Sequence, residues 1–233
     1  LSAIHALGDA LADVVAVLVE PIQGEGGVRP LDHHYLQGLR DLCQQNQWLL
    51  MFDEVQTGNG RCGSTYVCEQ LEIKPDVMLT AKGLGNGLPI GVCMARGEAA
   101  QLLGPGDHGS TYGGNPLCCA AAIAVLTTLR DDTVMQRARS VREVLLTALH
   151  GAITDSDLIA EVRGRGLMIG IQPRVATKEI VQRGLESGLL INVAGGDTIR
   201  VLPPLVMTDE QAGELGAGIA NIINDIAEQE NAL

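Results

Sequence analysis

Residues 77–87 read VMLTAKGLGNG, and the interpretation of this stretch decides the fold. Val77, Met78, Leu79 and Thr80 have the character of a buried strand, a single lysine follows at Lys82, and Gly83, Gly85 and Gly87 then alternate with larger residues in a turn. Burial of a lysine at a strand end disfavours the ammonium form. The free amine is then nucleophilic enough to condense with an aldehyde cofactor. On this stretch alone, a lysine that has left the sheet and points to water is the competing interpretation.

Working outward, Pro75 and Asp76 introduce the strand, and residues 90–95 form a further strand that can pair with it. Upstream, residues 48–52 make a second buried strand that ends in Asp53, Glu54, Val55 and Gln56. Before it, residues 32–45 place Leu36, Leu39, Leu42 and Cys43 at helical spacing. Residues 14–19, VVAVLV, are a continuous apolar run of the kind covered on both faces, and they end in Glu20, Pro21 and the loop IQGEGGV. Strands alternating with helices predict an α/β sheet, predominantly parallel, with functional groups collected at the carboxyl ends of its strands. From Asn115 the pattern turns helical, and a second helix covers 133–149. A boundary near Asp131 and Asp132 divides the chain into residues 1–131 and a small α+β domain, 132–233. In that domain residues 159–171 are a strand broken by Gly164 and Gly166, 177–187 a helix, 189–193 and 198–202 strands, and 209–227 a closing helix.

A net charge of −12 without a Lys/Arg cluster argues against a nucleic-acid or anionic-membrane partner. The mean hydropathy of +0.17 over 233 residues allows a sizeable core, and no apolar run reaches membrane-spanning length. The six cysteines, none in C-x-x-C spacing, and the five histidines complete no metal-ligand pattern; reduced thiols in a cytoplasmic protein account for them. The chain begins at Leu1 and enters a strand-like run soon after, so an N-terminally incomplete chain is expected.

Glu25, Asp53 and Lys82 all fall in or just beyond the ends of strands predicted to be neighbours. A buried carboxylate can keep a pyridine nitrogen protonated while a lysine holds the same cofactor by its aldehyde. An isolated Asp-Glu pair is otherwise read as a helix cap.

Four blocks carry a resemblance: VEPIQGEGGV (19–28), DEVQTGNGRCG (53–63), TAKGLGNGLPIG (80–91) and HGSTYGGNP (108–116). In this order they resemble the signature blocks of the class III pyridoxal-phosphate aminotransferases, most of all the acetylornithine branch. The resemblance runs from about Asp13 to the C-terminal helix. It implies fold type I, with part of the large α/β/α domain followed by the small C-terminal domain. It implies that Lys82 is linked to pyridoxal 5'-phosphate and that Asp53 pairs with the pyridine nitrogen. Glu54 and Val55 belong to the same cofactor-binding block, Val55 packing on the ring, and Gln56 lies near the ring's 3-oxygen. Thr111 reaches the cofactor phosphate of a neighbouring subunit, which implies a homodimer, and Ser110 lines the substrate site. Arg200 grips a substrate carboxylate, and Glu25 pairs with Arg200 when no carboxylate is present. The implied reaction moves the terminal amino group of N2-acetylornithine to 2-oxoglutarate in arginine biosynthesis. Ornithine, succinylornithine or 4-aminobutyrate as donor, and a catalytically silent module, are the alternatives. Asn59 and Asn86 depart from the family pattern, standing where a variable apolar residue and commonly a glycine are expected. The family's phosphate loop, its ring-stacking aromatic and a further substrate arginine are not found in this sequence.

Overall fold

A computed structural model describes residues 1–6 and 11–232. Helix α1 (Ser2–His5) precedes strand β1 (Ala16–Val19), the ribbon β2 (Ile22–Gln23) and β3 (Arg29–Pro30), helix α2 (His33–Asn46) and strand β4 (Leu49–Asp53). A short helix α3 (Val67–Leu71) leads to β5 (Val77–Thr80), β6 (Val92–Ala95) and α4 (Pro116–Leu129). The chain continues with α5 (Thr133–Ala152), β7 (Ile159–Arg165), β8 (Met168–Pro173), α6 (Ile180–Glu186), β9 (Asn192–Ala194), β10 (Thr198–Val201) and α7 (Asp209–Asn231). Two compact units result. Leu1–Pro21, Leu31–Asn59 and Ser64–Arg130 form the first, and Ile22–Pro30, Gly60–Gly63 and Asp131–Leu233 the second.

The first unit is built on a sheet of order β1-β4-β5-β6. The β1/β4 and β4/β5 pairs are parallel and β5/β6 is antiparallel. The order follows from the connections: α2 carries the chain between the parallel strands β1 and β4, and the glycine-rich turn after β5 allows β6 to fold straight back. Helix α2 starts where the Asp32 carboxylate accepts the Tyr35 N–H, and it ends at Gln47, which adopts φ +57°. Its buried face is Leu36, Leu39, Leu42 and Cys43, the spacing legible in the sequence. Each of these leucines contributes about 1.5–3 kcal/mol of apolar burial before the entropy of ordering is charged against it.

The second unit has an antiparallel sheet of order β7-β8-β10-β9. Its core joins Leu145 and Leu149 of α5, Ile169 and Ile171 of β8, Ile199 of β10, and Ile219 and Ile223 of α7. The broken strand expected at 159–171 is the β7–β8 hairpin, turning at Gly166 and Leu167. The strand expected at 189–193 is displaced to Asn192–Ala194. Leu189 and Ile191 pack into the core from a connecting segment, and an apolar run of this length carries no mark separating a connector from a strand.

Candidate active site

The two central strands of the first unit end together. Asp53 is paired in register with Leu79, and the Glu54 N–H donates to the Leu79 carbonyl at 2.9 Å. Asp53, half-buried, and Lys82, three residues beyond Leu79, therefore leave adjacent parallel strands at the same carboxyl edge. The Asp53 Oδ1 accepts the Val55 N–H at 2.9 Å, which orients the carboxylate. Val55 and Gln56 are half-buried in the turn that follows. Lys82 is exposed in this chain rather than buried: β5 stops at Thr80, and Lys82 opens a 3-10 turn with φ +46°, the left-handed region that non-glycine residues seldom adopt. The turn closes at Gly85, where a Cβ would stand 2.1 Å from the Leu88 carbonyl oxygen, so no other residue fits.

Beneath this edge lies a buried polar network. Glu54 has no exposed surface; its Oε2 accepts from the Thr57 hydroxyl and the Val67 N–H and its Oε1 from the Cys68 N–H, all at 2.8 Å. Burial pushes its carboxyl above the usual carboxylate range, and these bonds only partly offset that. Burial likewise raises the Tyr66 phenol, against a hydrogen bond to Thr80 that lowers it. The Asn59 Nδ2 donates to the Thr80 hydroxyl at 3.0 Å and to the Ala81 carbonyl at 3.1 Å. The loop leaving β4 is thus tied to the segment leaving β5, one residue before Lys82.

In the second unit, Arg200 of β10 pairs with Glu25 at 2.6 Å. The Arg200 side chain is 11% exposed and that of Glu25 73%. Glu25 was expected near the end of the first strand. The loop between β2 and β3, which carries Glu25, belongs to the second unit. Two devices hold it there. The buried Arg163 guanidinium donates to the Gly27 and Val28 carbonyls, both at 3.0 Å from Nε, and to Thr198 Oγ1 at 2.6 Å. The Gly195 N–H donates to the Glu25 carbonyl at 3.0 Å; a Cβ at Gly195, where φ is +61°, would meet the Gly26 carbonyl oxygen at 2.8 Å. The backbone at Glu25 is fixed while its carboxylate faces solvent.

Ser110 and Thr111 lie in an exposed loop ahead of α4. Among the described residues no group of three His, Cys, Asp or Glu side chains is gathered as a metal site, and no helix is long and apolar enough to cross a membrane.

A carboxylate and a lysine thus leave neighbouring parallel strands, and an arginine–glutamate pair stands in the second unit. Residues 1–223 match the class-III aminotransferases over nearly the whole chain. The chain belongs to that family. Acetylornithine aminotransferase 1 of Bordetella pertussis is 44% identical over 230 residues, 99% of this chain and 58% of that one. The N-acetylornithine aminotransferase of Stenotrophomonas maltophilia superposes with a TM-score of 0.85 at 33% identity, covering 99% of this chain and 61% of its own. The ornithine aminotransferase of Toxoplasma gondii, a structure with PLP at partial occupancy in its active site, gives 0.87 at 36% identity, covering 98% and 55%. This class-III chain spans little more than half the length of these relatives. The α/β architecture is that of the fold type I aminotransferases.

Among the expected residues of this class-III aminotransferase chain, Glu54 is the one whose carboxylate is wholly buried. Its carboxylate is committed to Thr57 and to the first N–H groups of α3, so the helix-capping interpretation weighed for Asp53 applies to its neighbour. Asn59, Tyr66, Thr80 and Arg163 were not legible as site residues. For Arg163 the sequence carried no separate signal, since its strand also holds Glu161 and Arg165.

Proposed function

We propose that the full-length protein is an N2-acetylornithine:2-oxoglutarate aminotransferase acting in the cytoplasm, with pyridoxal 5'-phosphate as cofactor. The observation that carries this reading is the shared carboxyl edge of β4 and β5, where Asp53 is paired with Leu79 and Lys82 follows in the turn after β5; the 44% identity to the Bordetella enzyme supports the choice of donor. A half-buried carboxylate beside an amine suits an aromatic aldehyde with a protonatable ring nitrogen, so the residues present fit this group. When bound, pyridoxal phosphate supplies an electron sink for the amino-bearing carbon.

Within that reading each side chain has a stated task. Asp53 holds a proton on the ring nitrogen, and Val55 and Gln56 flank the ring. Lys82 anchors the cofactor, and its Nζ then takes a proton from the amino-bearing carbon of the donor and returns it to the acceptor carbon. Arg200 binds the α-carboxylate of glutamate or 2-oxoglutarate. For acetylornithine, whose reacting end is hydrocarbon and amine, Glu25 neutralises Arg200. Residues 1–131 belong to the large cofactor-binding domain and 132–233 to the small one. Ser110 and Thr111 serve the site of a second subunit in a homodimer. Support for the dimer comes from α4, an apolar helix that leaves Leu117, Ile123 and Leu126 exposed beside Tyr112.

The test is transamination by the full-length protein with acetylornithine, ornithine, succinylornithine and 4-aminobutyrate, each against 2-oxoglutarate. The expected result is the highest kcat/KM for acetylornithine. A clear preference for another donor replaces the substrate, and absence of turnover with all four overturns the enzymatic reading.

A further inference from the structure

We propose that Asn59 is a positioning residue for Lys82, an inference that rests on Lys82 being the cofactor-linked lysine. Three observations carry it. Asn59 is 5% exposed and has φ +57°, a backbone conformation that asparagine tolerates better than the apolar residues expected at this point. Its amide makes two donated bonds, to Thr80 Oγ1 and to the Ala81 carbonyl, so it grips the peptide that enters Lys82. Its Oδ1 is buried and accepts no hydrogen bond from the described residues.

The last point gives the inference its direction. A buried acceptor without a partner destabilises the fold, and an apolar side chain of similar size would fill the space without that penalty. The two donated bonds are offset in part by that unpartnered oxygen, and what the amide adds beyond an apolar side chain is a hold on the Thr80–Ala81 segment. Exchanging its nitrogen and oxygen would set Oδ1 against the Ala81 carbonyl, so the donors must face Lys82's side of the loop. Lys82 itself sits at φ +46°, a conformation that persists only where its surroundings impose it. The Asn59 clamp on one side and the Gly85 turn on the other impose it. A backbone so held fixes the direction in which the Lys82 side chain leaves the strand end, on the loop tied to the strand of Asp53.

The experiment uses the full-length protein, freed of cofactor, incubated with pyridoxal phosphate and quenched with borohydride over time; pyridoxyl label at each lysine is quantified by peptide mass spectrometry. This part of the chain has three lysines, Lys74, Lys82 and Lys178, so Lys74 and Lys178 serve as internal controls. In Asn59→Leu and in Asn59→Gly, which relieves the positive φ but also removes the amide, labelling of Lys82 relative to Lys74 is expected to slow about tenfold with an unchanged far-UV CD spectrum. Thr80→Val, which deletes one of the two acceptors, is expected to give part of the effect. A general loosening would instead raise the controls together with Lys82. Parent-like Lys82 labelling in the folded variants overturns the inference, and Thr80→Val decides it should neither Asn59 variant fold. Faster labelling in the parent at another lysine than at Lys82 overturns the functional reading instead.

Discussion

The Asp53–Lys82 edge and the Glu25–Arg200 pair are both assigned to chemistry, yet they are supported in opposite ways. At the first, the side chains are partly or fully exposed while everything behind them is bonded: Glu54, Thr57, Tyr66, Thr80 and Asn59 form a buried network linking two strand ends. At the second, the backbone is clamped by Arg163 and Gly195, and the acidic partner is left in solvent. Groups that must keep one geometry through a reaction are given a polar foundation. A group that must come and go is given a fixed hinge and an open side. An ion pair with one partner mostly exposed is worth about 1 kcal/mol or less, whereas breaking a fully buried pair costs about 3–5 kcal/mol. Glu25 is solvated when it leaves, while the nearly buried Arg200 then calls for another carboxylate in its place.

The comparison is broken most sharply at Lys82. Lys82→Ala in the full-length enzyme should abolish covalent cofactor attachment and lower kcat about a thousandfold or more. Asp53→Asn should retain cofactor but lose about a hundredfold or more in turnover. Steady-state kinetics with absorption spectra of each variant check both. Next in size is Arg163→Met, which leaves the Gly27 and Val28 carbonyls without their donor. A loss of about 3 kcal/mol is expected in urea unfolding, with the Glu25-dependent selectivity degraded as well.

A smaller effect is expected at the pair itself. Glu25→Ala should favour the glutamate half-reaction over the acetylornithine one by about fivefold, and Arg200→Ala should shift the ratio the other way. Single-turnover rates of each half-reaction decide this, and equal effects on both donors would show that the pair is no switch. The smallest effect concerns pH. Because burial raises the Glu54 carboxyl, the folded state binds that proton more tightly than the unfolded chain does, and the associated stability is present at low pH and lost as pH rises through the raised value. Unfolding free energies of the parent should therefore fall across that window, and in Glu54→Gln this decline should be absent.

Much of the fold was legible because its signals are periodic. The apolar face of α2, the uninterrupted strands β1, β4 and β5, and the Asn115–Pro116 start of α4 follow from residue type and spacing. The partners of Glu54 were hidden, since Val67 and Cys68 are supplied by backbone N–H groups that carry no mark in the sequence. Arg163 escaped for the same reason: its acceptors on Gly27 and Val28 are carbonyls far away in the chain. Asn59 stood out as a departure from the family, but the sequence could not show that its amide reaches the residue before Lys82.

Because Glu25 and Arg200 are carried by one unit, the contact between them does not have to wait for a slow rearrangement. It opens by rotation about the bonds of the Glu25 side chain, a picosecond-to-nanosecond event for an exposed group. Enzymes commonly turn over about 1–1000 times per second. On the proposed function, the pair samples its open and closed arrangements very many times within each catalytic cycle, and the choice between donors is made at equilibrium, by relative occupancy.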